Sequence, residues 1–324
     1  MQIEYKRGYT VYTKGNKELC FVAIHSGPAI ENPVHRDDHS ETVASLSWKE
    51  LGGTLVVSGV SRDRLWGIDY NRYIPSIGSA LRHYEKFIKN PEGESLLDFT
   101  RKYAWVAKDE GDYYERLKVY QSFWNDVSKG KYIVLVHKNF PKMKAVPSVM
   151  DFITFSNIGI KKRVIKDIVS DVNSKYFDFF EKIKSDYRAA ILADTRRFVL
   201  NVMRIYGHFN PAVMSEGYRM ALEKDLEKVS MYCDKIALNR LRNNFNPYNF
   251  LMCVQNALTH IPLPQVTIEG VHDGSLALGP YNKLFPKRDK TVIEVESNGF
   301  LNFWHPHMAA KIMNDVIKKV MEEG

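Results

Sequence analysis

The sequence predicts an α/β fold built around parallel strands, and three observations support this prediction. An apolar run over 21–24 is followed by a helical pattern over 40–51 and a second apolar run over 54–60. Two later strand patterns, over 131–136 and 291–296, are separated by segments with helical periodicity. The chain has 324 residues, of which 44% are hydrophobic, and this suits one large domain or two domains.

The first predicted unit is a strand, a helix and a second strand. The strand Phe21 to Ile24 ends at the turn sequence His25-Ser26-Gly27-Pro28. A helix is predicted from Ser40 to Leu51, where Gly52-Gly53 ends it, and the second strand runs from Thr54 to Val60. Because α/β sheets place their chemistry at the carboxyl ends of strands, the first strand delivers a candidate functional histidine.

The rest of the chain divides into recognisable segments in order. They are a helix within 78–97, a helix over 113–127, a strand over 131–136 that ends at His137, a strand over 265–268, a Gly-rich loop up to Pro280, a strand over 291–296 and a helix from about 307 to 323. Residues 156–250 are charged and rich in helical patterns, which predicts a mostly helical insertion. The α/β domain is therefore expected in two parts, 1–155 and 251–324.

Composition narrows the classes of protein and partner. The N-terminus is charged, and no apolar run approaches the roughly 20 residues that span a bilayer, so we expect neither a signal peptide nor a membrane protein. Three widely spaced cysteines give no disulfide framework or thiolate zinc site, which favours a cytoplasmic protein. The net charge of +8 is spread along the chain without a nucleic-acid-binding motif. We therefore expect a small anionic substrate rather than a nucleic acid.

Histidines at two predicted strand ends indicate metal chemistry. His25 follows the first strand and His137 follows a later one, while Asp37, Asp38 and Glu41 each offer a carboxylate. Hydrolytic metal sites need neutral imidazoles and a carboxylate that converge on one ion, with a position left for water. The alternative is that each histidine is a surface or hydrogen-bonded structural residue.

A second group of polar residues follows the strand over 54–60. Arg62, Arg64 and Arg72 could hold a substrate carboxylate or polarise a carbonyl group. Asp69 and Asn71 alternate, so they would share one face of a strand. Solvated surface charge and ordinary turn residues explain the same pattern equally well.

The strand over 291–296 carries two acidic residues on one face. Glu294 and Glu296 are two residues apart, and Glu296 lies near the end of the strand, before the turn sequence Ser297-Asn298-Gly299. A carboxylate directed into a metal site could take a proton from water and pass it to a leaving amine. The alternative is the exposed face of an edge strand.

Motifs that the chain lacks disfavour some enzyme classes, and motifs that it carries resemble those of one family. The chain has no G-x-S-x-G, P-loop or G-x-G-x-x-G sequence, which disfavours serine hydrolases, kinases and dehydrogenases. It resembles the N-formylglutamate amidohydrolase family, in which P-H-S-G, D-x-D-W, E-L-G-A, S-R, D-L-N-R, D-A-H-S and L-Q-L-E occur in this order. The matching residues here are His25-Ser26-Gly27, Asp38, Leu51-Gly52, Ser61-Arg62, Asp69-Tyr70-Asn71-Arg72, His137 and Glu296.

The resemblance implies a fold and a metal. The family is similar to the zinc carboxypeptidases and aspartoacylases, which have a three-layer α/β/α sandwich and one zinc ion at the strand ends. By this resemblance, a mixed sheet would carry the site, and the helical segment would be an insertion. His25, Asp38 and His137 would bind zinc or another divalent ion.

The resemblance also implies roles for the remaining residues. Arg62 would polarise the scissile carbonyl group and stabilise the developing oxyanion, while Glu296 would transfer the proton. Asn71 and Arg72 would hold the carboxylate of the substrate, and Asp69 would orient the arginine.

The sequence thus predicts a metal-dependent amidohydrolase that cleaves an N-acyl, for example N-formyl, acidic amino acid or a related small amide. Two alternatives stay open. One is a zinc carboxypeptidase-like peptidase. The other is a non-catalytic binding protein with the same fold, which is suggested by the altered sequence Leu135-Val136-His137-Lys138 in place of D-A-H-S.

Overall fold

The computed structural model describes most of the chain. The described residues are 1–15, 18–30, 36–63, 65–89, 99–139, 147–155, 158–206, 255–256, 258–271, 274–285 and 289–323, with side chains left out for 194–206.

Strands and helices alternate along these residues. The strands are β1 (Gln2–Lys6), β2 (Tyr9–Lys14), β3 (Leu19–Ala23), β4 (Gly53–Ser58), β5 (Tyr132–Asn139), β6 (Ser148–Ile153), β7 (Gln265–Ile268) and β8 (Thr291–Asn298). The helices are α1 (Ser40–Leu51), α2 (Ile77–Lys89), α3 (Glu110–Val127), α4 (Lys162–Lys175), α5 (Phe177–Tyr206), α6 (Ser275–Leu284), α7 (Gly299–Trp304) and α8 (Pro306–Glu323).

The strands form one mixed sheet in the order β1-β2-β4-β3-β5-β8-β6-β7. The central strands β4, β3, β5 and β8 run parallel to one another, while β1 and β2 continue the sheet antiparallel beyond β4. On the other side of the centre, β6 pairs antiparallel with β8. Every residue of β3 is buried, as expected for a strand that is covered on both faces.

Helices cover both faces of the sheet. Helix α1 contacts β3, β4 and β5, and α8 packs against α1. On the opposite face, Val22 and Leu135 belong to a buried apolar cluster with Phe123 and Trp124 of α3 and Tyr281 of α6. The molecule is therefore an α/β protein with a three-layer sandwich around a mixed sheet, as the sequence predicts.

The chain divides into two compact units. The first comprises Met1–Asn139, Met150–Val172 and Ile268–Gly324, and the second comprises Phe140–Val149 and Asn173–Thr267. Helices α4 and α5 begin the segment that is predicted to be a helical insertion. Residues 207–254 of that segment lie outside the described residues.

Several predicted elements agree with the structure, and others need correction. The helix from Ser40 to Leu51 and the first strand–helix–strand unit are confirmed. The predicted Gly-rich loop extends too far toward Pro280, because Ser275–Leu284 form helix α6. A β-carbon at Gly279 would lie 1.8 Å from Tyr73 Oη, so glycine lets that hydroxyl group approach the helix backbone. Among the described residues, no helix has the length and apolar character needed to cross a membrane.

A buried carboxylate joins the first strands to helix α3. Asp126 is 5% exposed and accepts hydrogen bonds from Lys6 Nζ at 2.7 Å, Lys129 Nζ at 2.7 Å and Tyr9 Oη at 2.8 Å. Burial acts to raise the pKa of this carboxyl group. The hydrogen bonds from Lys129, Lys6 and Tyr9 outweigh burial and keep the pKa below its usual value.

We expect Asp126→Asn to lower the free energy of unfolding by about 1–3 kcal/mol at pH 7, because it removes charge-assisted hydrogen bonds from a buried acceptor. A carboxyl group with a lowered pKa in the folded state stabilises the protein above its unfolded pKa of about 3.9. That contribution is lost as the pH falls through the folded-state pKa. The difference in the free energy of unfolding between wild type and Asp126→Asn should therefore become smaller in acid. Urea unfolding at pH 7 and pH 3 measures both values.

Glu115→Gln is the control for this prediction. Glu115 lies on the same helix and forms an exposed ion pair with Arg7, so its loss should cost less than about 1 kcal/mol. An Asp126→Asn protein as stable as Glu115→Gln at pH 7 would contradict the stabilising role of Asp126.

Candidate functional site

Polar side chains of three parallel strands meet near one edge of the sheet. β3 ends at Ala23 and leads into His25, while His137 lies in β5 and Glu296 lies in β8. His137 and Glu296 are paired in the register of β5 and β8, so their side chains project from the same face. The predicted convergence of these residues at the strand ends therefore occurs.

The turn after β3 fixes the position of His25. Ser26 Oγ lies within hydrogen-bond distance of the carbonyl oxygens of Ala23, at 2.9 Å, and Ser58, at 2.8 Å. A β-carbon at Gly27 would lie 2.1 Å from the carbonyl oxygen of Val60, so only glycine permits this close approach. The backbone NH of Asp37 donates to the carbonyl oxygen of His25 at 3.0 Å, which ties the following loop to the turn.

His25, Asp37 and His137 form a buried cluster. One ligand atom from each residue lies within 4.8 Å of the other two. Asp37 Oδ2 is 2.8 Å from His137 Nδ1 and 3.2 Å from His25 Nδ1. The two imidazole rings meet edge to face, with centroids 4.8 Å apart. Both Nδ1 atoms thus point toward the same carboxylate oxygen.

The electrostatics of the cluster favour positive charge. Burial acts to raise the pKa of Asp37, but hydrogen bonds with His137 and His25 outweigh it and hold this pKa well below its usual range. Burial acts to lower the pKa of His137, yet the negative charge of Glu294 and the hydrogen bond to Asp37 raise it to about 9. A site that increases the proton affinity of an imidazole is also suited to a cation.

The carboxylate of the cluster is Asp37, which corrects the prediction that Asp38 has this place. The Asp38 side chain is 52% exposed, and it accepts a hydrogen bond from Lys138 Nζ at 2.8 Å. Arg36 Nε lies 3.5 Å from Asp38 Oδ1. Asp37 is 4% exposed and contacts His137, whereas Asp38 lies at the surface beside Lys138.

Three polar groups surround the ring nitrogens of His25. Arg62 Nη1 lies 2.9 Å and Asp37 Oδ2 lies 3.2 Å from Nδ1, so this nitrogen faces both a donor and an acceptor. On the other side of the ring, Nε2 lies 3.2 Å from Asp69 Oδ1. Metal binding through Nδ1 would place the ring proton on Nε2, facing Asp69, and would replace the contact with Arg62.

Asp69 also contacts the residues that follow it. Its Oδ1 accepts the backbone NH of Asn71 at 3.0 Å, and its Oδ2 lies 3.9 Å from Arg72 Nε. Burial acts to raise the pKa of Asp69, but the charges of Arg72 and His25 keep it well below its usual range. The Nε atom of Arg72 is buried and donates no hydrogen bond to a described residue. It is a donor that a bound anion could use.

Asn71 is buried inside the site. It is 6% exposed, its Nδ2 is 3.3 Å from His137 Nε2, and its Oδ1 accepts a hydrogen bond from Tyr281 Oη. Burial holds the pKa of Tyr281 well above 10, so its hydroxyl group remains a donor. Asn71 therefore contacts His137 of the cluster. From this position it could orient the histidine ring as well as hold the substrate.

The two glutamates of β8 differ in their surroundings. Glu294 is 5% exposed, and its Oε2 is 3.6 Å from His137 Nε2. Burial raises the pKa of Glu294, despite the opposing charges of His137 and His25. Glu296 is half-buried, and its charge contributes to the raised pKa of His137. Glu296 is thus the more accessible of the two carboxylates.

The residues of the cluster fit a divalent metal ion. Two imidazoles and one carboxylate are the protein ligands of many catalytic zinc sites, which keep a further position for water or substrate. His25 has the carboxylate of Asp69 at Nε2, an arrangement that is common around metal-bound histidines. The sequence singles out both histidines, but the family resemblance predicts Asp38 as the carboxylate ligand and not Asp37. Tyr281 is absent from the predicted site, because its distance in sequence and its Gly-Pro context give no signal.

Comparisons with known proteins place few constraints on the chemistry. No protein-family model matches the chain, and no curated protein matches it. Among solved structures, the chain is similar to the gene product Atu2144 from Agrobacterium tumefaciens, with 13% sequence identity and a TM-score of 0.47. The match covers 98% of this chain and 95% of that chain. The chemistry of the site therefore has to be inferred from its own residues and distances.

Proposed function

We propose that the protein is a metal-dependent amidohydrolase that cleaves an N-acyl acidic amino acid or a related small amide, like the N-formylglutamate amidohydrolases that its sequence resembles. The observation that supports this most strongly is the buried group of His25, Asp37 and His137, whose ligand atoms lie within 4.8 Å of one another. A carboxylate and two arginines lie near this group, and they could serve as general base, oxyanion stabiliser and carboxylate anchor.

His25 Nδ1, Asp37 Oδ2 and His137 Nδ1 would hold the metal ion. A bound divalent ion such as zinc would supply Lewis-acid polarisation of the amide carbonyl group and would lower the pKa of a water molecule. Asp69 would accept a hydrogen bond from His25 Nε2, so that Nδ1 could bind the ion. Asp37 remains ionised, because its pKa lies well below its usual range.

Glu296 would act as the general base and then as the general acid. Its register opposite His137 places it beside the cluster, and its partial exposure lets it reach a substrate. The carboxylate would accept a proton from the attacking water and deliver it to the leaving nitrogen. Such proton transfer typically accelerates a reaction by about 10²–10⁴-fold.

The two arginines would act on different parts of the substrate. Arg62 is half-buried beside His25, where its guanidinium group can donate to the carbonyl oxygen as negative charge develops there. Arg72 has the buried Nε donor and lies one residue after Asn71, so it would bind the substrate carboxylate. Asp69 would orient Arg72 across the distance of 3.9 Å.

A substrate screen tests this proposal. The zinc-loaded protein is incubated with N-formyl and N-acetyl derivatives of glutamate and aspartate, and the release of primary amine is measured. We expect turnover of at least one of them, and stripping the metal with a chelator should abolish it. Hydrolysis of short peptides without hydrolysis of N-acyl amino acids would favour a carboxypeptidase-like peptidase. Absence of turnover on both would favour a binding protein.

Arg72→Met should raise KM for a carboxylate-bearing substrate by about 10–100-fold, because a hydrogen-bonded charge of this kind contributes about 1.5–3 kcal/mol. This rise in KM should largely disappear for the matching substrate whose carboxylate is converted to an amide. Steady-state kinetics on both substrates measure this difference. An equal rise in KM for the charged and the neutral substrate would contradict an anchoring role for Arg72.

A further inference from the structure

The two imidazoles of the cluster differ in how their outer nitrogen is held. At His25, Nε2 lies 3.2 Å from the carboxylate of Asp69. At His137, Nε2 lies between two groups, with Asn71 Nδ2 at 3.3 Å and Glu294 Oε2 at 3.6 Å. These two neighbours favour different positions for the ring proton, since an amide NH₂ donates and a carboxylate accepts.

Asn71 favours a His137 ring with no proton on Nε2. Tyr281 donates to Asn71 Oδ1, which directs Nδ2 of the amide toward the ring. The Tyr281 ring is fully buried and packs edge to face against Phe155 and Trp124, so this donor is fixed in place. In that tautomer the proton of a neutral ring is on Nδ1, where it points to Asp37.

Glu294 favours the opposite tautomer. Its side chain is 7% exposed, and its Oε2 accepts no hydrogen bond from any described residue. A buried carboxylate oxygen without a donor is costly, and an N–H group on His137 Nε2 would satisfy it. Metal binding through Nδ1 requires this form, because the proton of a neutral imidazole must then be on Nε2.

We propose that Glu294 is the positioning residue of His137, with the same relation to its Nε2 as Asp69 has to that of His25. This inference depends on the proposed metal site. Glu294 and Glu296 then have separate tasks on one strand face: Glu294 holds a ligand in its metal-binding tautomer, and Glu296 transfers the proton. Replacing a residue that hydrogen-bonds a metal-bound histidine commonly lowers metal affinity by about 10–100-fold.

Zinc affinity tests the division between the two glutamates. Competition with a chromophoric chelator is measured for wild type, Glu294→Gln, Glu294→Met and Glu296→Gln. We expect affinity to fall about 10-fold in Glu294→Gln, which keeps a weaker acceptor, and about 100-fold in Glu294→Met, which has none. Glu296→Gln should stay within about threefold of wild type, because its carboxylate does not hold a ligand. Asp69→Asn should resemble Glu294→Gln.

Two further measurements separate positioning from folding. The metal-free Glu294→Gln protein should keep the circular dichroism spectrum of wild type and one cooperative thermal transition, since glutamine has nearly the same size as glutamate. Nitrogen-15 spectra of the histidine rings should show His137 with its proton on Nε2 in zinc-loaded wild type. A wild-type protein that binds no zinc would overturn the proposed function itself. Zinc binding by wild type with equal affinity in Glu294→Met would overturn the role of Glu294 alone. A proton on Nδ1 of His137 in the loaded protein would show that this nitrogen is not a ligand, and would overturn both the role of Glu294 and the proposed ligand set.

Discussion

Asp37→Asn is expected to weaken zinc binding by more than about 100-fold, whereas Asp38→Asn should change it by less than about threefold. Asp37 is buried, and its Oδ2 lies 2.8 Å from His137 Nδ1 and 3.2 Å from His25 Nδ1. Asparagine keeps the size of the side chain but removes the negative charge that compensates a dication. Asp38 is half-exposed and contacts Lys138 and Arg36, so its charge contributes little to the cluster.

The two variants differ by one position in the chain, which makes each a control for the other. Both are titrated with zinc against a chromophoric chelator, and circular dichroism confirms that both are folded. Equal affinity in Asp37→Asn and wild type, or a large loss in Asp38→Asn, would show that the structure assigns the wrong aspartate.

Glu296→Gln is expected to lower kcat on the best N-acyl substrate by about 10²–10⁴-fold, because the variant cannot accept a proton from water. Zinc content should stay at the wild-type level, since Glu296 is not part of the ligand group. KM should change little if the carboxylate acts in the transition state and not in substrate binding. Steady-state kinetics and elemental analysis on the same preparation measure these quantities.

Glu41→Gln is the matched control for this loss of activity. Glu41 is another acidic residue near the predicted site, but its Oε1 pairs with Arg36 Nη2 at 3.1 Å in the first turn of α1. Its substitution should leave kcat unchanged. Retention of more than about a tenth of the wild-type kcat in Glu296→Gln would rule out this residue as the general base.

The parts of the fold that the sequence predicts well are those with strong local patterns. Helix α1 begins after a loop and ends at Gly52, and its predicted bounds match the structure. The buried strand β3 is likewise recognisable, because central parallel strands are nearly continuous in apolar residues. In β8 the β-branched residues alternate with glutamates, which also indicates a strand. Helix α6 is missed because Gly279 and Pro280 are turn signals, whereas packing of Tyr281 in the core keeps this segment helical.

Some residues of the site can likewise be predicted from the sequence, and others cannot. Strand ends bring His25, His137 and Glu296 together, and this convergence follows from the topology of parallel strands. The choice between Asp37 and Asp38 depends on which side chain faces inward from a loop, and no periodicity applies there. The contacts of Asn71 with Tyr281 and His137 also depend on tertiary packing across the sheet, which one sequence does not encode in a local pattern.

Metal content is the most direct test of the central claim that His25, Asp37 and His137 form a metal site. The wild-type protein is purified without a histidine tag, incubated with zinc, dialysed and analysed by elemental mass spectrometry, with His25→Ala treated in parallel. The account predicts about one zinc per chain in wild type and its loss in the variant. No retained metal in wild type, or equal metal in both proteins, would contradict it and leave the cluster as a hydrogen-bonded network.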